Sequence, residues 1–153
     1  MIRQATIKDL PLLMEWRMTV LREVFSLSAN ADLSELEAAN EAYYKTALSD
    51  GTHIACFAAE NEKIVGCGGI CLHTEMPSPD NPNGKCAYLM NVFVSPEYRG
   101  KGYGKQIVEW LIQKAIENEA TKIYLESSQS GKKVYEKAGF VVLPEMMIWK
   151  QHI

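Results

Sequence analysis

No Cys-x-x-Cys pair occurs among the four cysteines (Cys56, Cys67, Cys71, Cys86), and the three histidines (His53, His73, His152) lie far apart. The chain therefore shows no zinc-type ligand spacing, and no metal is expected. The cysteines fall in apolar, strand-like segments and read as buried free thiols of a reducing compartment. Long apolar runs are missing too. Stretches such as Ile54 to Ala59 are far shorter than the ~20 residues of a spanning helix. Met1 to Thr6 lacks the charged and apolar regions of a signal peptide, so a cytoplasmic protein is expected, with no membrane partner. There is no basic excess: 16 Lys and Arg stand against 19 Asp and Glu, a formal charge of −3, which leaves no footprint for nucleic acid. Repeats, low-complexity tracts and domain-scale linkers are absent. With 153 residues, 47% of them hydrophobic and 23% charged, disorder is excluded and residues 1–153 are expected to form one domain.

Ile2 to Ala5 reads as a short strand, and Thr6-Ile7-Lys8-Asp9 as a capping box. Pro11 pushes the regular helix start toward Asp9. Leu10, Leu13, Met14, Leu21, Val24 and Phe25 then define one helical face with Arg17 at its centre. A charge there needs a partner. Arg17 is either a structural ion pair with a snorkelling stem or a cation facing a pocket. Leu33 to Leu48 reads as a second helix whose Tyr43 and Tyr44 belong to the core or line a cleft. His53 to Glu60 and Lys63 to His73 are strand-like, and Gly66, Gly68 and Gly69 suggest a bulge or a close backbone approach. Met76 to Gly84, with three prolines, is a long loop. Cys86 to Val94 is the most strand-like run. A helix follows from about Gly102 to Asn118, then a strand at Lys122 to Glu126 and a short helix at Gly131 to Ala138. A strand at Phe140 to Leu143 follows, and Met146 to Lys150 is a candidate last strand. The pattern favours an α/β or α+β sheet with packed helices.

Val92 to Lys105 carries the chemistry. A buried strand runs into a turn with Gly100, Gly102 and Gly104 and then into a helix. Glycines allow close backbone approach, and a helix start offers unpaired amides at the positive end of its dipole. With Arg99, Lys101 and Lys105 nearby, the turn reads as a phosphate or pyrophosphate nest. The glycine spacing fits neither a Walker loop nor a dinucleotide fingerprint.

Arg99-x-x-Gly102-x-Gly104, preceded by Val94-Ser95-Pro96-Glu97-Tyr98, resembles the acyl-CoA-binding signature of the GNAT superfamily of N-acetyltransferases. Val134-Tyr135-Glu136-Lys137-Ala138-Gly139-Phe140 and Ile2-Arg3-x-Ala5-Thr6-x-x-Asp9 resemble two further elements of that family, in the same order. The resemblance implies a mixed, twisted sheet of six or seven strands, with helices on both faces and splayed central strands that admit acetyl-CoA. It implies that the amides from Arg99 through Gly100, Lys101, Gly102 and Tyr103 to Gly104 hold the pyrophosphate, with Lys105 adding charge. Val92 and Val94 would pair through their backbones with the pantetheine arm, and an amide near Phe93 would meet the oxyanion. Tyr135 would protonate the departing thiolate; without the resemblance it reads as a core tyrosine.

The chain departs from the family pattern in two places. Ser128 is the polar side chain available where many members carry asparagine. Tyr88 stands where many carry a glutamate base, leaving Glu126 and Glu75 as alternatives. Asn91 is either a buried hydrogen-bonding group or a substrate contact. The resemblance places the acceptor against Arg17, Tyr43, Tyr44 and the segment from His73 to Gly84. It implies an acetyl-CoA-dependent transferase acting on a small-molecule or peptide or protein amine by direct transfer; the alternative is a non-catalytic acyl-CoA sensor. The tail Met146 to Trp149 offers either a homodimer interface or a last strand.

Overall fold

A computed structural model describes residues 1–151, so His152 lies outside the described residues. One mixed sheet organises the chain, with strands β1 (Ile2–Gln4), β2 (His53–Glu60), β3 (Lys63–Thr74), β4 (Lys85–Val94) and β5 (Lys122–Leu125) in spatial order 1-2-3-4-5. The first four strands are antiparallel neighbours, and β4 and β5 run parallel. The parallel pair needs a crossover, supplied by helix α3 (Tyr103–Glu117). Helices α1 (Leu10–Val24) and α2 (Ser34–Asp50) precede β2, and a short α4 (Lys132–Lys137) follows β5.

Alternation along the strands sends side chains to two separate cores. Ile70, Ala87 and Leu89 face α3, where Ile107, Val108 and Leu111 are fully buried against them. Ala55, Phe57, Cys67 and Phe93 face the opposite way, onto Leu13, Met14 and Val20 of α1 and Tyr44 of α2. The close approach expected at the β3 glycines is present. A Cβ on Gly68 would stand 2.6 Å from Ile107 Cγ2, so α3 rests directly on this backbone. At the other end of the fold, the Thr6 amide donates to Asp9 Oδ2 at 2.8 Å. Pro11 occupies the first turn of α1, where a missing N–H leaves no bond unmade. No helix among the described residues is long and apolar enough to cross a membrane.

The sheet has five strands, fewer than the six or seven expected, because Phe140 to Leu143 and Met146 to Lys150 form no strands. Gly139 adopts φ +104° and turns the chain back, so that the Phe140 amide donates to the Tyr135 carbonyl at 3.0 Å. The Phe140 ring then stacks edge-on against Tyr135, 5.9 Å between centroids. Among the described residues those that follow form no ladder, and β propensity without an adjacent ladder makes no strand. Val141, Val142, Met147, Ile148 and Trp149 are exposed as a result.

Candidate active site

The strands part between β4 and β5, the last pair of the sheet. β4 pairs with β5 only from Cys86–Lys122 to Leu89–Leu125. Two residues later Asn91 adopts the left-handed φ of +60°, and the β3–β4 register shifts between Cys67 and Gly69. A bulge of this kind bends its strand, and β4 runs on to Val94 without β5 beside it. The Ser95 amide donates to the Val65 carbonyl at 2.9 Å, and Phe93 lies opposite Cys67. Backbone polarity alternates along an antiparallel strand, so Phe93 is committed to β3, whereas Val92 and Val94 turn their backbone groups to the opening. Of the amides near Phe93, the one that faces the opening is therefore that of Val92. The Val94 carbonyl accepts Arg99 Nε at 2.8 Å, which leaves the N–H of Val94 and both groups of Val92 for a ligand.

Beyond β4 lies the glycine turn. Gly100 and Gly102 take φ of +79° and +91°, and a Cβ on either would meet nothing within 4 Å. From Gly100 to Lys105 no backbone N–H donates to an acceptor among the described residues; the first helical bond is Gln106 N–H to Gly102 O at 3.1 Å. A run of consecutive free amides at a helix N-terminus, in a glycine turn open to solvent, fits a pyrophosphate. The Arg99 side chain is placed elsewhere than expected. It pairs with Glu23 at 3.1 Å and lies over the Phe93 ring, tying α1 to β4, and its amide is spent on the Pro96 carbonyl. Lys101 sits near Glu60 at 3.8 Å and Lys105 near Glu109 at 3.7 Å. The Tyr103 hydroxyl donates to Glu60 at 2.7 Å.

Tyr135, on α4, packs against the α3-side core that also holds Val92 and Val94. Its hydroxyl has no hydrogen-bond partner among the described residues, where a core tyrosine would be tied down. Burial raises its pKa, so the phenol keeps its proton at neutral pH. Ser128 accepts the Gly131 amide at 3.2 Å and braces the entry to α4.

On the opposite face, a cleft of about 330 Å³ opens between α1, α2 and the β4 bulge, lined among others by Arg17, Asn40, Tyr43, His53, Cys71 and Asn91. Tyr44 lines it too, with its phenol pushed up to about 12, mainly by burial. His53, Asn40 and Cys71 escaped the reading of the sequence. The glycines of β3 were the available signal, since a Cβ on Gly69 would stand 2.6 Å from His53 Nε2. Tyr43 Oη lies 2.8 Å from His53 Nδ1 and 2.9 Å from Cys71 Sγ. Farther along the same face, the Tyr88 ring lies tilted against Tyr124, 5.0 Å between centroids, and Tyr124 Oη reaches His73 Nε2 at 3.1 Å. Burial and the neighbouring Glu126 hold the Tyr88 phenol above its ordinary range. Glu75 is engaged by Lys122 at 2.9 Å and His73 at 3.3 Å. His73, Glu75 and Cys86 place ligand-type atoms within 4.8 Å of one another, although the histidines and cysteines showed no metal spacing in sequence. The Cys86 thiol is also met by Asn81 Nδ2 at 3.3 Å. The proline loop contributes little to the cleft, because Asn83 anchors it to the Glu119 carbonyl at 2.7 Å.

His53 carries a consequence for stability. Burial first, then the charge of Arg17, push its pKa down from 6.5 to about 4. As pH falls through 6.5 the unfolded chain takes up a proton that the folded one refuses. Stability is therefore full above pH 6.5 and is lost progressively down to about 4, by on the order of 3 kcal/mol. Urea midpoints measured at pH 7 and pH 4.5 should show this loss, and His53→Gln should flatten it. An equally steep dependence in the variant would clear His53 of the effect.

A model described as the Acetyltransferase (GNAT) family matches residues 12–140. Glucosamine 6-phosphate N-acetyltransferase 1 of Dictyostelium discoideum is 35% identical over 80 residues, 51% of this chain and 48% of that protein, so the chain spans about half the length of this relative. Glucosamine 6-phosphate N-acetyltransferase of Trypanosoma brucei brucei is 29% identical over 108 residues, 71% of each chain. Among solved structures, a predicted acetyltransferase of Clostridium acetobutylicum, crystallised with acetyl-CoA, superposes with a TM-score of 0.87 at 27% identity, covering 98% of this chain and 95% of the other.

Proposed function

Since the chain belongs to the GNAT acetyltransferase family, we propose that it is an acetyl-CoA-dependent N-acetyltransferase acting by direct transfer to a primary amine of a small molecule or peptide. What carries this reading is one juxtaposition: the unpaired edge of β4, the free amides from Gly100 to Lys105 and the partnerless Tyr135 hydroxyl surround the same opening. Acetyl-CoA, when bound, supplies a thioester whose carbonyl takes the amine and whose sulfur departs as thiolate.

The chain's own groups fit those needs. The amides of the glycine turn hold the pyrophosphate, and the Val92 backbone pairs with the pantetheine as a neighbouring strand would. A Val92 N–H directed at the carbonyl oxygen stabilises the charge that develops there. Tyr135 gives its proton to the leaving sulfur, and burial, which holds that proton on the phenol, also penalises the thiolate it must neutralise. On the acceptor side Tyr88 stays protonated and donates hydrogen bonds. Glu75 is already paired, and Glu126, which has no ion-pair partner among the described residues, takes the proton that the attacking amine loses.

The relatives named above are transferases for an amino sugar phosphate, which supports an amine acceptor. Incubation with acetyl-CoA and a panel of amines should release free thiol in step with an acetylated amine. Tight acetyl-CoA binding with no thiol from any amine would favour a sensor, the reading to which Tyr88 in the place of a glutamate points.

A further inference from the structure

We propose that Arg17 is the anion anchor of the acceptor cleft, so that the amine accepted here also bears a carboxylate or a phosphate. This rests on the reading of the cleft as the acceptor site. Arg17 stands half-buried at the middle of α1. Its Nε donates to Asn40 Oδ1 at 2.9 Å and its Nη1 to Asn91 Oδ1 at 3.0 Å. Both partners are neutral amides. Among the described residues no carboxylate comes within 4.0 Å of its guanidinium, and Nη2 has no partner. The residues that line the cleft include no Asp or Glu. His53, the other ionisable base there, is uncharged at neutral pH. The cleft therefore holds one positive charge with nothing to offset it.

A partly desolvated cation in that condition is costly, and an incoming oxyanion removes the cost. The two amides also fix the guanidinium plane. Asn40 Nδ2 is bound to the Leu36 carbonyl at 2.9 Å, which points its oxygen at Arg17. Asn91 is locked by the bulge, where its carbonyl accepts the Cys67 thiol at 3.3 Å. A guanidinium held this way, with Nη2 uncommitted, presents donors to a carboxylate or phosphate. A cleft built for a polyamine would carry the opposite charge. An arginine serving only to tie α1, α2 and β4 together would distinguish no ligands.

The test is titration calorimetry on the full chain, with and without saturating CoA, using two matched pairs: glucosamine 6-phosphate against glucosamine, and phenylalanine against phenylalaninamide. In at least one pair the anionic member should bind roughly 30-fold or more tightly, the loss typical of removing one side of a desolvated charge pair. The pair that discriminates tells phosphate from carboxylate. Arg17→Met, which keeps the aliphatic stem, should abolish that discrimination while leaving CoA affinity intact, and Arg17→Lys should restore part of it. Equal affinities within both pairs, or discrimination that survives in Arg17→Met, overturns the proposal. These affinities need no turnover, so absence of acetyl transfer would sink the enzymatic reading without touching this result, and acetylation confined to neutral amines would do the reverse.

Discussion

Valine in place of Gly104 should lower CoA affinity about 100-fold or more and leave the fold standing. Gly104 lies in the first turn of α3 with an ordinary φ, and a Cβ there would meet only Val134 Cγ1 at 3.9 Å and Val94 Cγ2 at 4.0 Å. The protein has room for the side chain. The two methyls, however, would fill the gap between the end of β4 and α4, beside the free amides of the turn. A displaced pyrophosphate loses charge-assisted hydrogen bonds worth ~1.5–3 kcal/mol each, and two of them account for the stated factor. Gly102 is a poorer position for the same test, because its φ of +91° would strain any side chain and deform the turn by itself. Calorimetric titration with CoA, paired with a thermal melt, decides the matter. A folded Gly104→Val protein that binds CoA like the parent would remove the pyrophosphate from this turn.

Tyr135→Phe should lower kcat by ~10²–10⁴-fold, the usual contribution of a lost general acid. Stability and CoA affinity should hardly move. Phenylalanine keeps the edge-on packing against Phe140, and the missing hydroxyl has no internal hydrogen bond to break. A structural tyrosine would give the opposite pattern, with unchanged turnover and a loss of about 1 kcal/mol in stability. Single-turnover thiol release is the measurement to make, since it excludes product release. A parental rate in that assay would take Tyr135 out of the chemistry while leaving the glycine turn untouched.

The elements up to the short helix α4 were legible because each is governed by local sequence: apolar, strand-like runs along β2 to β4, and the 3.6-residue stripe of Val108, Leu111, Ile112 and Ala115 on α3. The glycine turn was legible for the same reason, since its backbone chemistry lies within six consecutive residues. The last two strands were misjudged because a strand exists only beside a partner. Gly139, which redirects the chain, directly follows the short helix expected at Gly131 to Ala138. The cleft between α1, α2 and the β4 bulge is the least local feature: Arg17, Asn40, His53 and Asn91 come from four different elements. Arg17 could be flagged as a misplaced charge, but only the fold shows that its partners are amides and not acids.

The segment after Gly139 also bears on how the protein behaves in a tube. Val141, Val142, Met147, Ile148 and Trp149 stand between 66% and 97% exposed, and none of them lies in a strand. An exposed, apolar, β-prone stretch is a template for intermolecular pairing, and a net charge of only −3 supplies weak repulsion against it. Solubility at calorimetric concentrations should therefore rise with a Lys or Glu at Val141 or Ile148, neither of which lines the cleft or belongs to the glycine turn.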